Sequence, residues 1–486
     1  MIAGFCWPQS GLPGTVIEVF CHTDSRHFSS RVVRAGPVEK EVMSRVSIPG
    51  VVQKLSASMA TDGCDWQPAF ALAVDPAWPS GLYRVDFESS DGSHAQAYFV
   101  VRTEARVDAT LVLATNTWAA YNHWGGPSFY TGGTTSALRR PLPHGMLHQS
   151  RPHDFRIARY HTRDQATQQD FRALGYSHWC AAAGWANWEH LFAHWAEQQG
   201  YQLAYATSQD LHSLPDLLAR NPAYISVGHD EYWTASMRDQ VENFVEEGGH
   251  AAFFSGNTAF WQARLNSTAD TLTCFKTNFR DDPAYSSTAT ECPQLSTMWS
   301  DPLVGRPENH MTGVSFTRGG YAQMPNAPAG TGGYQIHRPD HWSMQGVVLA
   351  DDAQLGDQAL VVGYECDGCA METFDGLPHA TGEDGSPTNM EIIGTGPARL
   401  WETEDAPAAL GEDFIGELNW VAERIGGADT AANRTKFGDG RAVLGSFKRG
   451  QGEVFTTGCT DWAYGLHTAP IAQVTNNVLT RFVQRT

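Results

Sequence analysis

Residues 224–257 alternate between apolar runs and short polar groups. The apolar run YISVG ends at Gly228 and is followed at once by the polar residues HDEY, and a second run, AAFFSG, leads into Asn257. Thr234 is a suitable helix N-cap between the two runs. Apolar residues then recur at helical spacing: Met237, Val241, Phe244 and Val245. The pattern predicts one βαβ unit.

The rest of the chain predicts two domains. Residues 1–105 carry short alternating strands separated by turn residues, which favours an N-terminal β-sandwich. Residues 106–486 alternate strands and helices, which predicts an α/β domain with a doubly wound, mainly parallel sheet. Residues 258–440, irregular and rich in Gly and Pro, are interpreted as a long insertion. A hairpin at 440–458 and a helix at 469–485 complete that domain.

Composition excludes several classes of partner. The chain has 486 residues, a formal net charge of -20 and a pI near 5.3, which argues against nucleic acid or an anionic membrane surface as a partner. No apolar run reaches 18 residues and the N-terminus lacks signal-peptide features, so the predicted location is the cytoplasm. The nine cysteines are interpreted as reduced thiols. An Asp-Gly turn explains the one CxxC, Cys366 to Cys369, better than zinc does.

Candidate site residues follow the predicted strands. Ligands bind outside the carboxyl ends of parallel strands, so His229, Glu231 and Asn257 are expected in one crevice. Tyr121 and Tyr160 lie in two other segments and add phenol oxygens. Carboxylate and phenolate oxygens favour a hard cation, with Fe(III) the natural candidate, whereas zinc prefers more His or Cys. The spacing contains no HExxH motif.

Five motifs carry a resemblance to a known family: YNHWGG, GHDEYW, FFSGN, GYECDG and GCTDW. Together they resemble the large (beta) subunit of N,N-dimethylformamidase, over most of residues 110–486. The resemblance implies a glutamine-amidotransferase-like α/β core and one mononuclear Fe(III). It assigns the metal to Tyr121, Tyr160 and Glu231, with Tyr130 as the alternative second tyrosine.

The resemblance also implies the catalytic residues. His229, Asn257, Lys276 and Glu365 match the family's active-site histidine, asparagine, lysine and glutamate. The implied activity is iron-dependent hydrolysis of the C–N bond of a small linear amide by an activated water. A small subunit or further copies of the chain are the implied protein partners. The VGHDEY turn has no Cys or Ser, which excludes the covalent mechanism of the amidotransferases.

Alternatives stay open at this point. Each candidate has an ordinary structural interpretation: Glu231 as an acid near a helix start, His229 as a satisfied half-buried histidine, Tyr121 as aromatic core, Tyr160 as a half-buried tyrosine, Asn257 as a cap or a turn with positive φ, Lys276 as a partner of Asp281 or Asp282, and Glu365 as a solvated charge. A non-catalytic protein that binds a ligand or a partner is the alternative function. A zinc or manganese hydrolase using His229 and Glu231 is the third.

Overall fold

The computed structural model describes residues 1–148, 182–323, 329–405 and 417–483. The contacts between residues divide the chain into two compact units. Among the described residues, unit 1 comprises 1–148, 182–221 and Leu265–Thr273, and unit 2 comprises Pro222–Arg264 and the described residues that follow Thr273. The domains predicted at 1–105 and 106–486 stay a prediction.

Strands and helices were numbered in chain order. The strands are β1 Ile2–Trp7, β2 Ser10–Gly11, β3 Val16–Thr23, β4 His27–Arg34, β5 Lys40–Pro49, β6 Pro68–Ala73, β7 Gly81–Ser89, β8 His94–Val101, β9 Ala109–Leu113, β10 Thr135–Ala137, β11 Leu203–Thr207, β12 Ala223–His229, β13 Tyr232–Trp233, β14 His250–Gly256, β15 Trp261–Gln262, β16 Arg264–Leu265, β17 Thr271–Thr273, β18 Ser315–Tyr321, β19 Gln335–Ile336, β20 Glu365–Gly368, β21 Met371–Phe374, β22 Leu377–Ala380, β23 Glu391–Ala398, β24 Gly440–Arg449 and β25 Gly452–Thr456. The α-helices are α1 Met59–Asp62, α2 Thr115–Ala120, α3 Glu189–Gln198, α4 Ser208–Ser213, α5 Ala235–Glu246, α6 Asn309–Thr312, α7 Glu417–Arg424, α8 Ala431–Gly438 and α9 Ala469–Val483. Short 3-10 helices lie at Lys276–Asp281, Trp342–Met344, Asp357–Ala359, Thr403–Asp405 and Trp462–Gly465.

Unit 1 contains two sheets that share an apolar core. The first has the order β1-β3-β6 and the second the order β2-β8-β7-β4-β5. Inward-facing residues of both sheets form one cluster, with Val19 and Leu72 from the first and Val32, Val85 and Phe99 from the second. The parallel pair β9 and β11 also belongs to unit 1.

Unit 2 contains the predicted βαβ unit. Strands β12 and β14 are parallel, with His229 paired with Gly256 at their carboxyl ends, and α5 connects them. Thr234 caps α5 as predicted, because its hydroxyl accepts a hydrogen bond from the backbone N–H of Met237. The hairpin of β24 and β25 and the helix α9 confirm the predictions for the C-terminal part.

The prediction of a doubly wound, mainly parallel amidotransferase-like fold is wrong. Strand residues outnumber helical residues, at 33% against 21%, and the sheets are mixed or antiparallel. In unit 2, β14 pairs in parallel with β12 and β25, but β24, β23, β22 and β21 continue the sheet as antiparallel neighbours. The loops from β21 to β22 and from β24 to β25 have two residues each and permit antiparallel pairing only, since a parallel pair needs a long crossover. Part of the segment interpreted as an insertion therefore extends the sheet.

Two further predictions concern the cysteines and the membrane. The eight cysteines in the described part of the chain are free and buried, as expected of reduced thiols. Asp367 and Gly368 lie inside β20 and not in the expected turn. In the described ranges no helix is long and apolar enough to cross a membrane.

Candidate functional site

The candidate site of unit 2 begins where β12 and β14 end side by side. Gly228 has a φ of 76° and lets the chain turn immediately before His229. Glycine is also required at Gly256, because a Cβ there would lie 2.4 Å from the backbone N of Thr460 and 2.6 Å from the backbone O of Glu365. The small residue allows the strand that carries Glu365 to approach the end of β14.

His229 lies between two carboxylates. Its Nε2 is 2.8 Å from Oε2 of Glu365 and 3.3 Å from Oε2 of Glu231, and its side chain is completely buried. The ring of Tyr364 meets the imidazole edge to face at a centroid distance of 5.9 Å. Because two negative groups face one nitrogen, their charges stabilise a proton on Nε2.

Asn257 completes this cluster from the neighbouring strand. Its Nδ2 donates a hydrogen bond of 3.1 Å to Oε2 of Glu365 and lies 3.5 Å from Nε2 of His229. When Nε2 carries a hydrogen toward Glu365, both nitrogens are donors, so the 3.5 Å approach is only a contact. Asn257 has a φ of 49°, as the interpretation as a turn with positive φ expected.

Asp367 fixes the turn that presents Asn257. Its two carboxylate oxygens accept hydrogen bonds from the backbone N–H groups of Asn257, at 2.8 Å, and Thr258, at 3.1 Å. Burial raises the pKa of Asp367 to about 8, against the lowering effect of these two hydrogen bonds. Glu365 and Asp367 are two residues apart on β20 and therefore face the same side of the strand.

Glu231 is held by an indole. Oε1 of Glu231 accepts a hydrogen bond of 2.7 Å from Nε1 of Trp261. The side chain of Glu231 is buried, and α5 begins only at Ala235, after the capping residue Thr234. The hydrogen bond from Trp261 therefore accounts for the position of Glu231 more directly than the helix dipole does. Nζ of Lys276 lies 5.4 Å from the ring centroid of Trp261.

Asp282, one of the two alternative partners predicted for Lys276, is bonded to Arg264. Both carboxylate oxygens of Asp282 accept hydrogen bonds from Arg264, at 2.7 and 2.8 Å. Lys276 itself has a φ of 53°, a left-handed conformation that a lysine rarely adopts. The chain therefore turns sharply at the point where this lysine approaches Trp261.

Of the two tyrosines predicted as metal ligands, the structure describes Tyr121. Tyr121 lies in unit 1 directly after α2, is buried, and stacks on Tyr130 at a centroid distance of 4.1 Å. Tyr160 lies outside the described residues. The structure therefore brings together His229, Glu231, Asn257 and Glu365, and places Lys276 against Trp261 beside Glu231. The roles of all seven predicted residues stay predictions.

Several residues at the site were not identified from the sequence. Asp367 could have been found from the two-residue period of a strand, once Glu365 was a candidate. Glu417 and Tyr321 have no motif that singles them out. Oε1 of Glu417 accepts a 3.0 Å hydrogen bond from the hydroxyl of Tyr321, and burial raises the pKa of this carboxyl to about 7, with a further increase from the charge of Glu365.

The predicted metal ligands are oxygen donors. Among the described residues, no group of three or more His, Cys, Asp or Glu side chains has an arrangement that could hold a metal ion. The predicted set of Glu231 with two phenol oxygens stays a prediction. An all-oxygen set of one carboxylate and two phenolates matches the preference of Fe(III). The hydrogen bond from Trp261 is the kind of outer contact that orients a ligand carboxylate.

Comparison with protein families identifies the chain. Residues 31–477 match the family profile described as N,N-dimethylformamidase beta subunit-like, C-terminal. The chain belongs to this family. The match to the dimethylformamidase beta-subunit-like family includes all seven predicted site residues as well as Asp367 and Glu417. It confirms the resemblance found in the sequence motifs.

Other comparisons add little to the dimethylformamidase-like assignment. No curated protein matches the chain. Among solved structures, murine CEACAM1b is similar over 22% of this chain and 56% of its own, less than two thirds of its length, at 10% identity and a TM-score of 0.14. The RIG-5 IG1 homodimer is similar over 21% of this chain and 99% of its own, at 10% identity and a TM-score of 0.13. Scores this low carry no argument about fold or function.

Proposed function

We propose that this chain hydrolyses the C–N bond of a small linear amide. The observation that carries the proposal is the buried imidazole of His229 between the carboxylates of Glu365 and Glu231, in a chain of the dimethylformamidase beta-subunit-like family. A histidine that shares a proton with two carboxylates can transfer that proton, and amide hydrolysis requires a proton on the leaving nitrogen.

A mononuclear Fe(III) held by Glu231, Tyr121 and Tyr160 is part of the proposal. When bound, such a metal would polarise the amide carbonyl and lower the pKa of a bound water toward neutrality. Tyr130, which stacks on Tyr121, is the alternative to Tyr160. The oxygen chemistry of these side chains supports the choice of iron over zinc.

The residues of the cluster have separate tasks. Water adds to the carbonyl carbon, the C–N bond breaks, and the two protons of the water pass by way of Nε2 of His229 to the leaving nitrogen, which gives a carboxylate and an ammonium ion. Glu365 orients the imidazole through the 2.8 Å contact and balances its charge. Trp261 holds Glu231 through its 2.7 Å hydrogen bond. No covalent intermediate with the protein is needed.

Lys276 and Asn257 are assigned to the oxyanion that forms on the carbonyl oxygen. A preorganised donor there is worth about 2.7–4 kcal/mol of transition-state stabilisation. One amide hydrogen of Asn257 is already directed at Glu365, so only the other is available to substrate. Lys276 is therefore the principal donor in this proposal.

The proposal is tested by turnover of small amides and by metal content together. Iron-loaded protein should release amine from a formamide or acetamide series, and His229→Asn should lower kcat by about 100-fold or more. Glu308→Gln is the control for replacing a buried polar side chain. Glu308 is as buried as His229, and its oxygens accept hydrogen bonds from Ser300 and Ser315. Full turnover in His229→Asn would contradict the assignment.

The same experiment separates the alternatives. Stoichiometric zinc or manganese, with turnover, would replace iron and leave His229 and Glu231 in place. Protein that binds amides or amines without turnover under any metal would support a non-catalytic binding function.

The family name also suggests a multi-subunit assembly. Light scattering of the purified chain, alone and with a small subunit, tests for that partner.

A further inference from the structure

Two buried oxygen atoms at the site lack hydrogen-bond donors. Oδ1 of Asn257 and Oε2 of Glu417 are inaccessible to solvent and have no partner among the described residues. Asn257 as a whole is only 3% exposed. Leaving a buried acceptor unpaired costs about 1–3 kcal/mol, so such atoms are normally completed by a ligand or a water molecule.

The orientation of the Asn257 amide is fixed by its neighbour. Nδ2 donates to Oε2 of Glu365, and an amide rotated by 180° would place Oδ1 against that carboxylate oxygen. The backbone of Asn257 is held as well, because its N–H donates to Asp367. Oδ1 is therefore an acceptor whose direction the protein determines and whose donor has to come from elsewhere.

Glu417 presents the second acceptor. It is the first residue of α7, and its Oε1 accepts a hydrogen bond from the hydroxyl of Tyr321. Tyr321 pairs with Glu365 in the ladder between β18 and β20, so its hydrogen bond holds Glu417 beside the strand that carries Glu365. The carboxylates of Glu365 and Glu231 lie in the same cluster at His229, and a site rich in acceptor oxygens favours a cationic ligand.

We propose that Oδ1 of Asn257 and Oε2 of Glu417 form the subsite for the amine nitrogen of the substrate. The subsite accepts hydrogen bonds from N–H groups, and an ammonium with two N–H groups satisfies both oxygens. This inference rests on the proposed function. The nitrogen gains a proton as the C–N bond breaks, so these acceptors bind the leaving amine more tightly than the planar amide and accelerate its departure.

The count of N–H groups defines the expected ligand class. Ammonium, methylammonium and dimethylammonium each offer at least two donors, whereas trimethylammonium offers one and tetramethylammonium none. Amides of ammonia and of primary or secondary amines all release such a two-donor ion. Selectivity should therefore follow the number of N–H groups and not the charge, which is the same throughout the series.

The test is direct binding of these ammonium ions to the full chain, by calorimetry or by quenching of tryptophan fluorescence. We expect dimethylammonium to bind at least 10-fold more tightly than tetramethylammonium. Glu417→Gln, which presents an NH₂ group or a neutral oxygen in place of the carboxylate, should lower that ratio by about 10-fold. Glu308→Gln, the buried control, should leave the ratio unchanged.

Each result decides a different question. Equal binding of dimethylammonium and tetramethylammonium by the unmodified protein, or an unchanged ratio in Glu417→Gln, overturns the subsite. Both ions are measured on the same preparation of each variant. Partial unfolding would therefore weaken the binding of dimethylammonium and tetramethylammonium alike and would not lower the ratio of their affinities. Selective binding without hydrolysis of any amide supports the subsite and refutes the proposed function, whereas hydrolysis without selectivity does the reverse.

Discussion

The hydrogen bond from Trp261 to Glu231 provides the sharpest test of how the site is held. Trp261→Phe keeps an aromatic ring and removes the donor that lies 2.7 Å from Oε1 of Glu231. The carboxylate is buried, so its lost partner is not replaced by bulk water. Removing a hydrogen bond to a charged group costs about 1.5–3 kcal/mol, and the smaller ring adds a cavity contribution.

Trp462→Phe is the matched control. Trp462 is also buried, and its Nε1 donates a 2.9 Å hydrogen bond to the neutral hydroxyl of Thr475. Both variants lose the same ring volume, but a neutral hydrogen bond contributes only about 0.5–1.5 kcal/mol. The free energy of unfolding should therefore fall by about 1 kcal/mol more in Trp261→Phe than in Trp462→Phe.

The measurement combines urea denaturation of the metal-free protein with a metal titration. Loss of an outer contact to a ligand typically weakens metal binding about 10–100-fold, and this effect should appear in Trp261→Phe alone. The reasoning would be refuted if Trp261→Phe were no less stable than the control and bound iron with unchanged affinity. A weaker metal affinity in both variants would show that packing, and not the hydrogen bond, positions Glu231.

Three other predictions follow from single contacts. Glu231→Gln should abolish bound iron and turnover while the circular dichroism spectrum stays that of the parent; retained iron would remove Glu231 from the ligand set. Asp282 is buried, which raises its pKa, but hydrogen bonds from Arg264 and Ser296 prevail and lower it to about 2. Since an unfolded Asp titrates near 3.9, this carboxylate stabilises the fold fully above about pH 5 and loses the effect as the pH falls toward 2. Asp282→Asn should flatten the pH dependence of stability in that range, measured by thermal melts. Gly256→Ala places a Cβ against the backbone nitrogen of Thr460 and should destabilise the protein by about 1–3 kcal/mol, as overpacking of a core does, which would lower the melting temperature. An unchanged melting temperature would contradict the close approach.

The sequence by itself determined the local part of the site. The period of apolar residues and the cap at Thr234 specify β12, α5 and β14, and parallel strands joined by a helix place their carboxyl ends side by side. His229, Glu231 and Asn257 were therefore expected together. In the structure, Nε2 of His229 lies 3.3 Å from Oε2 of Glu231 and 3.5 Å from Nδ2 of Asn257. Local periodicity is sufficient for such short-range predictions.

Only the tertiary structure decided which distant residues reach this point. Glu365 bonds to Asn257 across 108 positions of sequence, and Asp367 and Glu417 are brought in by pairings that leave no periodic signal in the chain. The antiparallel extension of the sheet was missed for the same reason. Strand order depends on which long-range pairing buries the most apolar surface and satisfies the most backbone groups, and that choice is made by the whole fold rather than by any segment of it.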